Sequence, residues 1–268
     1  MIFRITAAVV FLASLLCAHS AEPASPVLSA TNLASRLSDW QQDGASYVRL
    51  RMEIKQPPGI TKSALQIQIK ARRTSNSTDV LYQILWPKER KGEAVLLRKA
   101  GDGSLSGWTF VPPDTVRALD ASQMAGPLFG SDLSYEDLAE NFFAWPNQNI
   151  VGTDQVDGVS CQVLESRPGK GVRSSFASVR SWVDSRRLIP LRIEKYKAAG
   201  RVVRRIDTAN VVTDDIGRQI PANLRVSGSQ NSVTEIDGSR IKHDVTYADR
   251  QFTPEALREV TIPRSSAE

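Results

Sequence analysis

After Gly44 the apolar residues of this chain recur at every second position, in short segments, almost to its end. "SYVRLRMEIK" sets Val48, Leu50, Met52 and Ile54 on one side and Tyr47, Arg49, Arg51, Glu53 and Lys55 on the other. Such a segment is a strand with one buried and one wet face. "ALQIQIK" repeats the pattern with Leu65, Ile67 and Ile69, and "VLYQILWP" with Val80, Tyr82, Ile84 and Trp86. "EAVLLRK", "GWTFVPP" and "DTVRAL" follow, and a second train runs from "QNIVGTDQV" to "RIKHDVTYA". Asp157-Gly158, Ala199-Gly200 and Asp237-Gly238 read as hairpin turns. "VVRRID" and "ANVVTD" read as separate strands, as do "SVTEID" and "RIKHDVTYA". The outward positions, rich in Arg, Lys, Glu and Gln, leave no second apolar face. A single antiparallel sheet of so many strands has to curl. The expected fold is mainly β with α: a curved antiparallel sheet forming an incomplete, half β-barrel whose apolar concave side must be filled.

Three segments break the alternation. "SATNLASRLSDWQ" spaces Leu33, Leu37 and Trp40 at i, i+4 and i+7, one stripe of a helix that Ser29 or Thr31 caps and Gly44 ends. "FTPEALREV" offers Thr253 as a cap and Pro254 at the first position of a terminal helical turn. Between the two trains, "FGSDLSYEDLAENFFAWP" crowds carboxylates and aromatic rings together. With Ser134 as N-cap, Asp137 completes a capping box and Leu133 with Leu138 a hydrophobic staple. Glu136 and Asp137 suit the positive end of the helix dipole. Tyr135, Leu138, Phe142 and Phe143 share one side of a helix over 134–143, which Trp145-Pro146 stops. Phe142, Phe143 and Trp145 are either ordinary core or a lid over a ligand cavity.

The capping pattern accounts for these acids without catalysis. Neighbouring carboxylates within one turn do not face each other across a cleft. A calcium loop would need a glycine at its sixth place and a closing glutamate at its twelfth, and neither is there. His243 is the one histidine beyond the leader, and nothing orients a dyad with Cys161, which reads as a buried strand thiol. No nucleophile elbow, zinc motif or phosphate loop occurs. The expectation is no catalytic residue, no metal and no cofactor. The 34 Lys and Arg against 29 Asp and Glu are spread along the chain, which does not suit nucleic acid.

Met1–Arg4, the largely apolar run Ile5–Cys17 and the small residues before Ala21 read as a signal peptide over 1–20, cleaved near Ser20/Ala21. The run is too short to span a bilayer. A lipid anchor at Cys17, which follows Leu15-Leu16, is the alternative reading, although a lipidation motif sets a small residue where bulky Leu16 stands. Residues 21–28 read as a linker and 29–268 as one domain, within the ~200–250 residues that single β domains reach.

"TFVPPDTVRAL", "GPLFGSDLSYEDL", "VDGVSCQVLES", "VRSWVDSRRLIPLRIEKY" and the late "FTPEAL" stand in an order that resembles the outer-membrane lipoprotein-sorting (LolA-like) family, in a poorly characterised branch. The resemblance runs from about Leu33 to Leu257 and is most specific over Gly130–Leu138. It implies an open barrel with helices at its mouth, in a periplasmic carrier for a lipoprotein acyl chain or a lipid. It also implies an inner-membrane transporter and an outer-membrane acceptor as partners. A monomer is expected. An envelope sensor or adaptor of the same fold is the other reading. Within such a fold the cargo cavity would be lined by Val48, Leu50, Met52 and Ile54, by Ile67 and Ile69, and by Tyr82, Ile84 and Trp86. Trp108 and Phe110 would join them, under a cover of Leu138, Phe142 and Phe143. Ser134 and Asp137 are expected to be structural helix caps.

Overall fold

The computed structural model describes residues 27–41, 44–56, 60–228, 232–243 and 245–261. The expected leader with Cys17, most of the linker and the Trp40 side chain lie outside the described residues. Helix α1 spans Ala30–Gln41. Ser29 caps it, its Oγ accepting from the Asn32 amide at 3.3 Å. Strands β1 (Ser46–Gln56), β2 (Ile60–Arg73), β3 (Ser77–Trp86), β4 (Ala94–Ala100), β5 (Leu105–Phe110) and β6 (Arg117–Leu119) follow. The second train is β7 (Asn147–Val156), β8 (Val159–Arg167), β9 (Ser178–Asp184), β10 (Ile189–Tyr196), β11 (Val202–Thr213), β12 (Gln219–Ser227) and β13 (Val233–His243).

All thirteen strands join one curved antiparallel sheet in the order β6-β5-β4-β3-β2-β1-β13-β12-β11-β10-β9-β8-β7, not closed into a barrel. Each train is a meander of neighbouring hairpins. The two meet where β1 pairs with β13, Ser46 opposite His243. This topology places β6 and β7, consecutive in sequence, at opposite edges of the sheet. The connection between them, residues 120–146, therefore has to cross the concave face from edge to edge.

The concave face carries two apolar clusters. Under the first meander and its neighbours, Met52, Ile54, Leu65, Ile67, Ile84 and Leu97 pack with Val226 and Ile236. Under the far half, Leu164, Val179 and Val183 pack with Leu33, Ala34 and Leu37 of α1. At roughly 1.5–3 kcal/mol for each large side chain buried, these clusters hold the sheet's curvature.

Two expectations are corrected. The outer face of β3–β5 is apolar too: Leu81, Leu96 and Phe110 are buried beneath Phe252 and Leu257 of the C-terminal segment. The polar residues interspersed there are clamps. Gln83 Nε2 donates to the Glu259 carbonyl at 3.1 Å and Arg98 Nη2 to the Phe252 carbonyl at 2.8 Å. Buried Asp79 pairs with Arg72 at 3.1 Å and Arg98 at 2.6 Å. Secondly, "VVRRID" and "ANVVTD" form the single strand β11, and Asp237-Gly238 lies inside β13. Gly238 sits opposite Leu50, beside a break in register, so the dipeptide marks a bulge and no hairpin. The C-terminal segment forms two 3₁₀ turns, Asp249–Phe252 and Glu255–Arg258; the second is the expected terminal helical turn, with Pro254 in helical conformation and Thr253 Oγ1 accepting from the Ala256 amide at 3.4 Å.

Candidate binding site

The crossing segment is built around a tight loop. Pro127 bridges to Ser134, and the Leu128 amide donates to the Leu133 carbonyl at 2.7 Å. Phe129 and Gly130 turn the chain with φ of 52° and 88°. At Gly130 that conformation favours glycine. Helix α2 then spans only Tyr135–Ala139. The capping box forms as expected: the Asp137 amide donates to Ser134 Oγ at 3.1 Å, and the Ser134 amide donates to Asp137 Oδ2 at 2.8 Å. The expected longer helix over 134–143 does not. Glu140 is extended, and Phe142–Ala144 form a separate 3₁₀ turn. The break splits the aromatic stripe. Tyr135 and Leu138 lie against the first cluster, whereas Phe142, Phe143 and Trp145 are buried in the second beneath α1.

Two carboxylates of this segment reach the sheet floor. Asp132 accepts from Ser232 Oγ at 2.5 Å and from Thr234 Oγ1 at 2.8 Å, while its amide donates to Thr234 Oγ1 at 2.9 Å. Asp137 does more than cap. Its Oδ1 lies 2.8 Å from Lys195 Nζ on β10 and its Oδ2 3.0 Å from Arg204 Nε on β11, with the Asp137 and Lys195 side chains 0% and 1% exposed. Burial pushes the Asp137 carboxyl up, but the adjacent Lys195 and Arg204 charges outweigh it and hold the group below its ordinary range. Nearby Glu140 goes the other way: burial, with some help from Glu136 and Asp137, pushes it up to about 7 against the pull of Ser174 and Lys195. Sequence reasoning missed Lys195 and Arg204. A signal was present, since each shares a strand face with an apolar neighbour, Ile193 or Ile206, that packs on the concave side.

A family model described as "Uncharacterized protein" matches residues 76–259, more than half of the chain. The chain belongs to this family of uncharacterized proteins. A DUF1329 protein from Desulfovibrio piger is similar in structure, with a TM-score of 0.78 at 24% identity over 85% of this chain and 97% of that one. A domain from Vibrio parahaemolyticus described as an outer membrane lipoprotein-sorting protein superposes at 0.75 and 20% identity, over 86% of this chain and 98% of that one. A LolA superfamily protein from Nitrosomonas europaea gives 0.67 and 19%, over 86% and 100%. At these identities the likeness shows the fold, a LolA-like open barrel. Among curated proteins, none matches the sequence of this chain.

In this chain the residues predicted to line a cavity divide. Met52, Ile54, Ile67, Tyr82 and Ile84 come together as the first cluster, with Leu50, Ile69 and Leu138 half-buried at its margin. Val48 is half-buried outside it. Trp86 is 52% exposed at the end of β3. Trp108 and Phe110 lie on the opposite face with Leu96 and the C-terminal segment, because Gly107 and Thr109, opposite Leu97 and Val95, take the concave positions. The expected open hollow is filled: Met124, Leu128 and Leu133 of the crossing segment bury themselves in the first cluster. A shallow pocket of about 210 Å³ beside Trp86, Arg51 and Gln66 is smaller than the ~300–1,000 Å³ of typical small-molecule sites.

Cys161 is buried and its thiol is pushed up to about 11, chiefly by burial. His243 comes within ion-pair distance of Asp214 (3.0 Å) and Asp215 (3.7 Å). The Arg218 guanidinium already supplies a cation there, 3.2 Å from Asp214 Oδ2 and 3.1 Å from His243 Nδ1. Among the described residues no helix is long and apolar enough to cross a membrane.

Proposed function

We propose that this chain is an exported, periplasmic carrier that holds an acyl chain, from a lipid-modified polypeptide or a lipid, between its curved sheet and the 120–146 segment. It would pass that cargo toward the outer membrane, receiving it from an inner-membrane transporter and giving it to an outer-membrane acceptor. The observation that carries the reading is what covers the first apolar cluster. Among the described residues no second sheet lies there, but an irregular segment whose α-helix has five residues and whose Met124, Leu128 and Leu133 side chains plug the floor. Such a cover contributes little regular hydrogen bonding, so local opening costs less than unfolding the sheet. Each methylene buried in its place contributes about 0.8 kcal/mol. The name of the Vibrio domain and the leader-like start of the chain support the same reading.

Native mass spectrometry of protein purified from the host envelope tests it, together with titration of a pyrene-labelled hexadecanoic acid. A co-purified lipid or lipopeptide mass and saturable probe binding are expected. Protein free of lipid that also fails to bind the probe would overturn the proposal.

A further inference from the structure

Lys195 and Arg204 are direct cross-strand partners on β10 and β11. Like charges placed opposite each other in a sheet repel, and here one of them is buried. Lys195 Nζ lies 4.7 Å from the centre of the Phe176 ring and 5.6 Å from that of Phe142, so it stands at the edge of the second apolar cluster. Arg204 shares its face with Ile206, which packs on the first. The pair thus marks the seam between two greasy surfaces. What makes it tolerable is a single carboxylate from the crossing segment, that of Asp137, with one oxygen on each cation. A second carboxylate, Asp132, approaches the same place. A side chain at Gly228 would meet Asp132 Oδ1 at 2.6 Å and Arg204 Nη1 at 2.9 Å.

We propose that Lys195 and Arg204 form an anion site in the floor of the sheet, that Asp137 occupies it while the crossing segment is down, and that the anionic head of an amphiphilic cargo takes it when the segment lifts. The inference rests on the carrier reading above and names its ligand class: an acyl tail with a carboxylate or phosphate head. The geometry follows. Lifting the segment removes Met124, Leu128 and Leu133 from the apolar floor and Asp137 from the cations together, since all four belong to one stretch of chain. It uncovers an apolar surface and, beside it, two cations lacking their counter-ion. A tail alone would fill the first and leave the second uncompensated, which is costly in a partly desolvated site. A ligand carrying both a tail and an anion replaces both contacts.

The test uses the mature chain and two probes, pyrene-labelled hexadecanoic acid and the matching alcohol. Wild-type protein should prefer the acid by about tenfold, the equivalent of one charge-assisted hydrogen bond. Asp137→Asn removes the internal competitor and should widen that preference, while Arg204→Gln should abolish it. Circular dichroism checks that both variants are folded, and the comparison of probe heads on wild-type protein does not depend on any variant. Equal affinity for acid and alcohol in all three proteins overturns the anion site and leaves the carrier standing. Failure of both probes to bind overturns the carrier reading and the anion site with it. Inorganic phosphate that displaces the acid at the same concentration as an unlabelled fatty acid overturns the amphiphile, pointing to a site for a free anion.

Discussion

Asp137→Asn separates a helix cap from a buried counter-ion by magnitude. If Asp137 served only the capping box with Ser134, the amide oxygen of asparagine would retain part of the bond from the backbone, and the loss would be about 1 kcal/mol or less. The structure adds two cations, Lys195 at 2.8 Å and Arg204 at 3.0 Å, against a carboxylate whose side chain is fully buried. Removing one partner of a buried pair leaves an uncompensated charge and costs about 3–5 kcal/mol. That is a large share of the ~5–15 kcal/mol of a typical domain, yet not all of it. Urea unfolding followed by tryptophan fluorescence reads the difference. With a slope of roughly 3 kcal/mol/M, the midpoint should fall by about 1–2 M. Adding Lys195→Met should recover most of the loss, because the thioether would sit among Phe142 and Phe176 with no charge to satisfy. The pH dependence has a definite sign. The carboxyl is held below its ordinary value, so its contribution is present above the unfolded pKa and fades as pH falls through the folded one. A loss of 1 kcal/mol or less, unrelieved by Lys195→Met, would refute the counter-ion role.

Glu140 predicts the opposite limb. Its pKa is raised from 4.5 to about 7, so its contribution is complete below about 4.5 and is lost as pH rises through 7, by at most about 3 kcal/mol. Glu140→Gln should flatten stability between pH 5 and 8, and an unchanged profile would refute the assignment. Phe252→Ala, at a side chain fully buried against the outer face, should cost about 3–5 kcal/mol in a thermal or urea melt. A loss below 1 kcal/mol would mean that the C-terminal segment does not hold that face. Cys161, buried and pushed up to about 11, should react with Ellman's reagent only after denaturation, and rapid reaction of the native protein would contradict its burial.

The alternation of β1–β4 made one sheet face legible from sequence, and Met52, Ile54, Ile67, Tyr82 and Ile84 do meet there. The capping box at Ser134 and Asp137 was equally legible, because it depends on residues three apart. The errors begin where a residue's partner is distant in sequence. Trp108 and Phe110 look inward by size, but the outer face is also covered, by Phe252 and Leu257 more than 140 positions away. Asp237-Gly238 has the composition of a hairpin turn, yet it is held in the ladder by Leu50 and Arg51 of β1. Glu140 ends α2 after five residues within a segment whose apolar spacing suits a longer helix. The break lets Phe142 and Phe143 reach α1 while Tyr135 and Leu138 stay on the first cluster.

The strand order carries the consequence furthest. Hairpin counting gives two meanders but not the pairing of β1 with β13, and that pairing sends β6 and β7 to opposite edges. A segment joining opposite edges is tethered at both ends, so it cannot swing away like a lid on one hinge. In the proposed carrier, opening would be a lift of its middle, and the middle is where Asp132 and Asp137 reach the floor. In the proposed carrier, those two carboxylates would then help to set how readily the apolar floor is exposed.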